Sequence, residues 1–297
     1  MPHVSASVKR AFLTGSAILI LSLILVISVG YGQGAGSLQV SYIDVGQGDS
    51  IWLHASDGTD VLIDGGPPSA GPTVVAYLQQ RGLDGIEAMV VSHADADHSG
   101  GLVDVLRSPI TVTAVIYNGL LVSTTTYLNL LAEMQTRGLT PTPASAGQSY
   151  KWGPINSSVL NPQATPSGNQ NDDSVVLLVN YGNRRFLFSG DISNSAEQSI
   201  LAMGTPIAAD VLKVPHHGSK YGSSSPFLVA VSPQLAIISV GAGNQYGHPD
   251  QETVDRLAAV SAQVLRTDEK GTIVVTTDGQ TLDVTWNHLL FLPAVRK

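Results

Sequence analysis

The sequence of 297 residues contains no cysteine. That excludes disulfide bridges and thiolate metal sites, and it is compatible with an exported domain that needs no redox chemistry. Charge is also scarce, at 13% of residues. Setting aside Lys9 and Arg10 near the start, 13 of the 15 basic residues remain against 23 acidic ones. A surface with that balance argues against strong non-specific binding to nucleic acid, although a local basic groove is compatible with it. No repeat of fixed short period occurs. Long apolar runs are confined to one segment, Ala11–Val29, which follows Lys9 and Arg10 and precedes the small-residue stretch Gly30–Ser37. Its length just suffices to span a bilayer as a helix. Residues 1–36 therefore read as a signal peptide or single membrane anchor with a linker. The anchor is preferred because no A-x-A-like cleavage site follows. In either case the basic flank stays inside, and the expectation is an extracytoplasmic protein, secreted or anchored by one N-terminal transmembrane helix.

From Ser37 onward the pattern is that of alternating strands and helices. SLQVSYIDV alternates apolar and polar residues, and GTDVLIDGG brings a second strand to a glycine stop. TVVAYLQQRG is a short amphipathic helix closed by glycine. IEAMVVSH reads as a buried strand, and GGLVDVLRS as the helix after it. Leu139 to Asn171, rich in Pro, Ser, Thr and Gly, reads as a loop or lid. Beyond it come the hairpin SVVLLVNYGNRRFLFSGDI, a helix over Asn194–Met203, the strand ADVLKVPHH, another helix, the strand LAIISVG and a closing hairpin around Asp278-Gly279. Two similar strand–helix halves packed as a sandwich are expected over residues 37–297.

One stretch breaks the scarcity of charge. In VVSHADADHSGG, Val90 to Gly101, two histidines and two aspartates fall within six residues, His93, Asp95, Asp97 and His98. They lie where a strand gives way to a helix, the usual place for ligands in α/β folds. An extended turn sends His93 and Asp95 to one side while the adjacent Asp97 and His98 diverge, so the four can serve two metal ions. Gly100 and Gly101 let the backbone pass closely by. Two histidines disfavour calcium, which takes oxygen ligands.

H-x-D-x-D-H followed by S-G-G resembles the metallo-β-lactamase fold, specifically its competence-protein branch, the hydrolase domain of ComEC-type DNA-uptake proteins. The resemblance covers about Leu38 to Trp286. It runs through YIDVGQGDS (42–50), VLIDGG (61–66), NDDS (171–174), LFSGD (187–191), VLKVPHHGS (211–219), YGHP (246–249) and RTDEKG (266–271). It implies an αββα four-layer sandwich, here preceded by one N-terminal apolar helix. It also implies that Asp64 orients the ligand loop, that His93 and Asp95 hold one metal, and that Asp97 and His98 hold the other. Asp191 would bridge the ions, and one of His216 and His217 would complete the second site.

Two departures from the superfamily pattern exchange nitrogen for oxygen. Asp95 replaces the second histidine of H-x-H-x-D-H, and GNQNDDSVV lacks the usual histidine before the bridging aspartate's hairpin. Asn171, Asp172, Asp173 or water would fill that position. Oxygen-rich sites suit manganese relatively better, while zinc keeps its intrinsic affinity, so two divalent ions, zinc or manganese, are implied. Such ions would activate a water, with Asp97 and His248 as candidate catalytic residues; His248 could protonate a leaving oxygen or grip a phosphate. Lys213 and Lys220 could meet a phosphate or be solvated, and Arg184 and Arg185 read as hairpin-turn charges. The expected substrate is a phosphodiester such as DNA. A hydrolase of another bond (phosphocholine ester, lactone, β-lactam) and a non-catalytic extracellular binding module are the alternatives.

Overall fold

Strand and helix positions in the first half follow from β-branched and aliphatic runs interrupted by glycine turns. The computed structural model describes residues 36–287. The chain opens with β1 (Leu38–Tyr42), β2 (Ile51–Ala55) and β3 (Asp60–Ile63), followed by α1 (Gly71–Gln79) and β4 (Gly85–Val91). Then come the single turn α2 (Ala96–Ser99), α3 (Leu102–Arg107), β5 (Thr111–Tyr117), α4 (Thr125–Thr136) and the short β6 (Thr142–Pro143). The second half runs β7 (Ser149–Trp152), β8 (Ile155–Asn161), β9 (Val176–Tyr181), β10 (Arg184–Phe188), α5 (Asn194–Ala202) and β11 (Val211–Lys213). It continues through α6 (Ser225–Val231), β12 (Leu235–Ile238), α7 (Gln251–Ala259), β13 (Gln263–Arg266) and α8 (Thr267–Lys270) to the hairpin β14 (Thr272–Thr277) and β15 (Leu282–Asn287).

Two mixed sheets result, one in the order β15-β14-β1-β2-β3-β4-β5-β6 and one in the order β13-β12-β11-β10-β9-β8-β7. Between them lies an apolar layer that includes Val40, Leu53, Val61 and Val90 from the first sheet and Leu177, Phe186, Phe188 and Ile237 from the second. Helices α1, α3 and α4 cover the outer face of the first sheet around Leu62, Met89 and Leu78, and α5, α6 and α7 cover the second around Leu212, Phe227 and Leu257. This is the αββα sandwich expected. Because β4 is covered on both faces, MVV at its end reads as an unbroken apolar run. Each such fully buried side chain contributes about 1.5–3 kcal/mol relative to exposure.

Parallel pairing decides where the loops gather. β3 and β4 are parallel neighbours, so the loops carrying Asp64 and His93 leave the same edge of the first sheet. β10, β11 and β12 are parallel, so Asp191, the His216-His217 pair and Ser239 leave one edge of the second.

Two expectations are corrected. Leu139–Asn171 is not a loop throughout: β7 and β8 lie within it, and β8 pairs antiparallel with β9 as an interior strand of the second sheet. Its sequence INSSVLN hides the strand because serine and asparagine sit beside the buried Ile155, Val159 and Leu160, and its partner lies beyond a long connection. The expected transmembrane helix falls on Ala11–Val29, outside the described residues. Among the described residues no helix is long and apolar enough to cross a membrane. The longest, α4, has 12 residues, about 18 Å at 1.5 Å per residue against a hydrocarbon core of about 30 Å. An extracytoplasmic location resting on such an anchor is therefore not supported.

Candidate metal centre

Three backbone loops are knitted together before any side chain reaches the site. Gly65 N donates to His98 O (2.7 Å), Gly101 N to Gly66 O (2.9 Å), Asp49 N to Asp97 O (3.1 Å) and Gly66 N to Asp49 O (2.6 Å). Close approach, not unusual torsion, calls for glycine at 101: its φ is −71°, but a Cβ there would stand 2.0 Å from Gly65 O. At Gly48 both reasons apply, since φ is +137° and a Cβ would lie 2.2 Å from Asp97 O.

Asp64, with φ of 58°, sits beneath the ligand loop. Its carboxylate accepts from Ser92 N (2.7 Å), Ser92 Oγ (2.5 Å) and His98 Nδ1 (2.8 Å). With Nδ1 donating to Asp64, Nε2 is the nitrogen of His98 that would face an ion once its proton is lost. His217 does the same by another route: its Nδ1 lies 2.9 Å from Ser239 O, a carbonyl that can only accept, so Nε2 is again the nitrogen that would take an ion once its proton is lost. His93 Nδ1 lies 3.0 Å from Ser92 Oγ and 3.4 Å from Ser174 Oγ, while its Nε2 is buried without a hydrogen-bond partner.

The three Nε2 atoms converge on carboxylates. His98 Nε2 is 3.2 Å from Asp191 Oδ1, and His217 Nε2 is 3.2 Å from Asp191 Oδ2, 3.3 Å from Asp97 Oδ2 and 3.3 Å from His98 Nε2. Donors about 2.0–2.2 Å from one zinc ion at tetrahedral corners stand about 3.3–3.6 Å apart, so these spacings fit donors sharing an ion. His93, His98 and Asp191 form a second group with donor atoms within 4.8 Å of one another. Asp95 Oδ2 lies 3.6 Å from His93 Nε2. His216 is half-buried, with Nε2 3.9 Å from Asp191 Oδ2. A cavity of about 150 Å³ opens on the cluster, lined in part by Asp95, Asp97, Asn171, Asp191, His216 and His248. Asn171 faces this cavity, whereas Asp172 accepts from Ser193 N (3.1 Å) and Asp173 from Ser167 and Gly168 N (2.8 Å each).

The electrostatics suit a cation. Burial works against ionisation of Asp191, yet His217, His98 and Lys213 hold its carboxyl well below the usual carboxylate range. Asp97 is likewise held at about 2, burial being outweighed by His217 and His98. Burial opposes protonation of His98 and His217, but Asp191, Asp49 and neighbouring carboxylates raise the first well above the imidazole value and the second to about 9. Burial instead lowers His216 and His248.

Two site residues, Lys213 and Asp49, have roles that sequence reading did not find. Lys213 is fully buried, not a solvated or phosphate-facing lysine. Its Nζ pairs with Asp49, donates to Gly190 O at 2.8 Å and lies 3.4 Å from Asp191 Oδ1. Asp49 in turn stands 3.7 Å from His98 Nδ1 and 3.6 Å from His217 Nδ1. The available signal was a lysine amid the apolar run VLKVP beside a histidine pair, where only a paired ammonium can be buried. Arg184 is also more than a turn charge: it pairs with Asp210 (2.8 Å) and donates to Gln280 O (2.7 Å) in the β14–β15 turn.

Residues 43–242 match the model of the metallo-beta-lactamase superfamily. This chain belongs to that superfamily. It is 33% identical over 252 residues to ComE operon protein 3 of Bacillus subtilis, covering 79% of this chain and 32% of the relative. To competence protein ComA of Neisseria gonorrhoeae it is 31% identical over 236 residues, covering 79% and 31%. The competence-branch resemblance of the sequence motifs is thereby borne out, and the chain spans about a third of the length of these relatives. Among solved structures, the metallo-beta-lactamase fold protein YhfI from Bacillus subtilis superposes with a TM-score of 0.52 at 13% identity, covering 82% of this chain and all of that one. That likeness supports the shared fold. The superfamily's hydrolytic, metal-dependent chemistry agrees with the clustered imidazoles and carboxylates, which could hold metal.

Proposed function

We propose that this chain is a dinuclear metal-dependent phosphodiesterase acting on nucleic acid, with zinc or manganese as its metal. One observation carries the metal reading: three imidazoles turn Nε2 to the same carboxylates while their Nδ1 atoms face hydroxyl, carboxylate or carbonyl oxygens behind them. In this reading Asp97, His98 and His217 would hold one ion and His93 and Asp95 the other, with Asp191 between the two groups and Asn171 nearest to the missing histidine's position. Two such ions, when bound, lower the pKa of a water and stabilise charge on substrate oxygens.

The chain's own groups do the rest. Asp64 and the Ser239 carbonyl hold the ligand imidazoles in one orientation, and Lys213 holds Asp191 and Asp49 in place from beneath. His248, whose imidazole pKa burial lowers more than Asp250 raises it, lines the cavity with His216 and in its protonated form would donate to a leaving oxygen. The phosphodiester preference is carried by the competence-protein relatives, whose full lengths exceed this chain.

Full-length protein, stripped with chelator and reloaded with zinc or manganese, would be assayed against linear DNA, bis-p-nitrophenyl phosphate, phosphocholine esters and nitrocefin. Hydrolysis of the first two that is lost on chelation and restored by metal is expected. Hydrolysis of nitrocefin or phosphocholine esters alone would overturn the substrate class, and inactivity on all four would favour a binding module.

A further inference from the structure

Beside the metal cavity runs a wider groove of about 590 Å³, sharing Gln47, Asp97 and Tyr246 with it and flanked by Asn244 and Pro67. Neither lining contains a lysine or arginine. A strand of nucleic acid cannot be held there by neutralising its backbone, which is how most non-specific affinity arises. What the groove offers is a ring face and a hydrogen-bond donor.

The ring belongs to Tyr246, which is 58% exposed. It stacks on His248 with centroids 5.9 Å apart and planes 18° from parallel, and His248 meets His216 edge-on at 5.8 Å. The stack is held in place by Asn244. Its Oδ1 accepts from Tyr246 N and His248 N, both at 3.1 Å, while its Nδ2 donates to Gly241 O (2.9 Å) and His248 O (2.7 Å). The donor is Gln47. Gly241 N donates to its Oε1 at 3.2 Å, which fixes the amide so that Nε2 is the free end, and that nitrogen is buried without a partner.

We propose that this groove is a subsite for one unstacked nucleobase next to the scissile phosphodiester, with Tyr246 as its stacking platform and Gln47 Nε2 as a donor to an acceptor on the same nucleotide. The proposal rests on the phosphodiesterase reading above. Paired bases have both faces covered by their neighbours, so a single exposed ring selects for a splayed base in a single strand. The aromatic face is indifferent to base identity, so little sequence preference should follow.

Two readouts test this. Metal-loaded full-length protein would cleave a short single-stranded oligonucleotide and the same strand with abasic sites in place of its bases. Loss of the bases should lower kcat/KM roughly five- to hundred-fold in the wild type. That ratio should collapse towards one in Tyr246→Ala and survive in Tyr246→Phe. Separately, a strand carrying 5-iodouracil, irradiated on chelator-treated protein, should yield an adduct on Tyr246 by peptide mass spectrometry. Gln47→Glu, which keeps the acceptor for Gly241 N and removes the donor, should reduce kcat/KM about two- to tenfold on the base-bearing strand. Equal cleavage of both strands by the wild type, or adducts only elsewhere, overturns the subsite and leaves the phosphodiesterase reading standing. Failure to hydrolyse either strand and bis-p-nitrophenyl phosphate overturns both.

Discussion

The two histidine-bearing loops reach the same cluster by opposite means. His93 to Gly101 uses ordinary backbone: Asp95 is extended at φ −64°, ψ 147°, and Gly100 and Gly101 are helical at φ −65° and −71°. His216 and His217 are consecutive non-glycine residues in the left-handed region, at φ 50° and 53°. Such conformations typically cost about 1–3 kcal/mol each and persist only where the surroundings over-determine them. The surroundings here are tertiary: His216 N donates to Gly190 O (3.2 Å), His217 Nδ1 donates to Ser239 O (2.9 Å), and Gly218 passes so close to Pro249 that a Cβ would lie 2.5 Å from its side chain. The first loop is a local device that carries four ligand-type residues. The second is strained, and its turn is what separates a buried His217 from a half-exposed His216.

The comparison breaks most sharply at shared residues. Asp191→Ala and His98→Ala should each abolish hydrolysis: the first removes the carboxylate that faces both His98 and His217 at 3.2 Å, and the second removes the imidazole that stands 3.3 Å from His217. His217→Ala should lose bound metal together with activity, while His216→Ala should keep it; equal losses measured by plasma emission spectroscopy would erase the distinction between the two neighbours. His248→Ala should retain metal and lose roughly a hundred- to ten-thousand-fold in turnover, the usual worth of a general acid. If that variant is as metal-poor as Asp191→Ala, His248 is a ligand.

Beneath the cluster, Lys213→Met should destabilise the protein by about 3–5 kcal/mol, because it leaves Asp49 as a buried carboxylate without its cation. The double substitution Lys213→Met with Asp49→Asn should recover most of that in chemical denaturation. No recovery would mean that Lys213 stabilises by packing alone.

The smallest effect is on pH dependence. In chelated protein the folded pKa of His217, about 9, lies above the unfolded value of 6.5. Its stabilisation, about 3 kcal/mol, is therefore fully present below pH 6.5 and is lost as pH rises through 9. Metal binding needs the proton removed, so the stabilisation conferred by added ion should grow over the same range. Thermal unfolding with and without chelator from pH 6 to 9.5 measures both slopes, and parallel curves would place the titrating group elsewhere.

Much of the fold was legible because its signals are local. The alternation in SLQVSYIDV, the glycine stop at Gly65-Gly66 and the hairpin around Gly182-Asn183 each name their element from a few residues. Strand β8 was not legible, since INSSVLN gains its identity from pairing with β9 beyond the connecting loop. The same divide runs through the site. His93, Asp95, Asp97 and His98 stand out as a cluster in one stretch, whereas Asp49, Lys213 and Gln47 look like ordinary residues of a turn, a strand end and a loop.

The sequence by itself determined the superfamily, the sandwich and the residue types of the candidate metal site, because motif order and the periodicity of apolar residues are written in consecutive positions. Only the tertiary structure decided which of His216 and His217 turns inward, that Asn171 and not Asp172 faces the cavity, and that Lys213 is buried as a fixed cation. Those outcomes depend on which loops parallel strands bring to one edge and on who satisfies each buried donor and acceptor. Such partners lie up to 194 residues apart, as Gln47 and Gly241 do, and no local pattern encodes them.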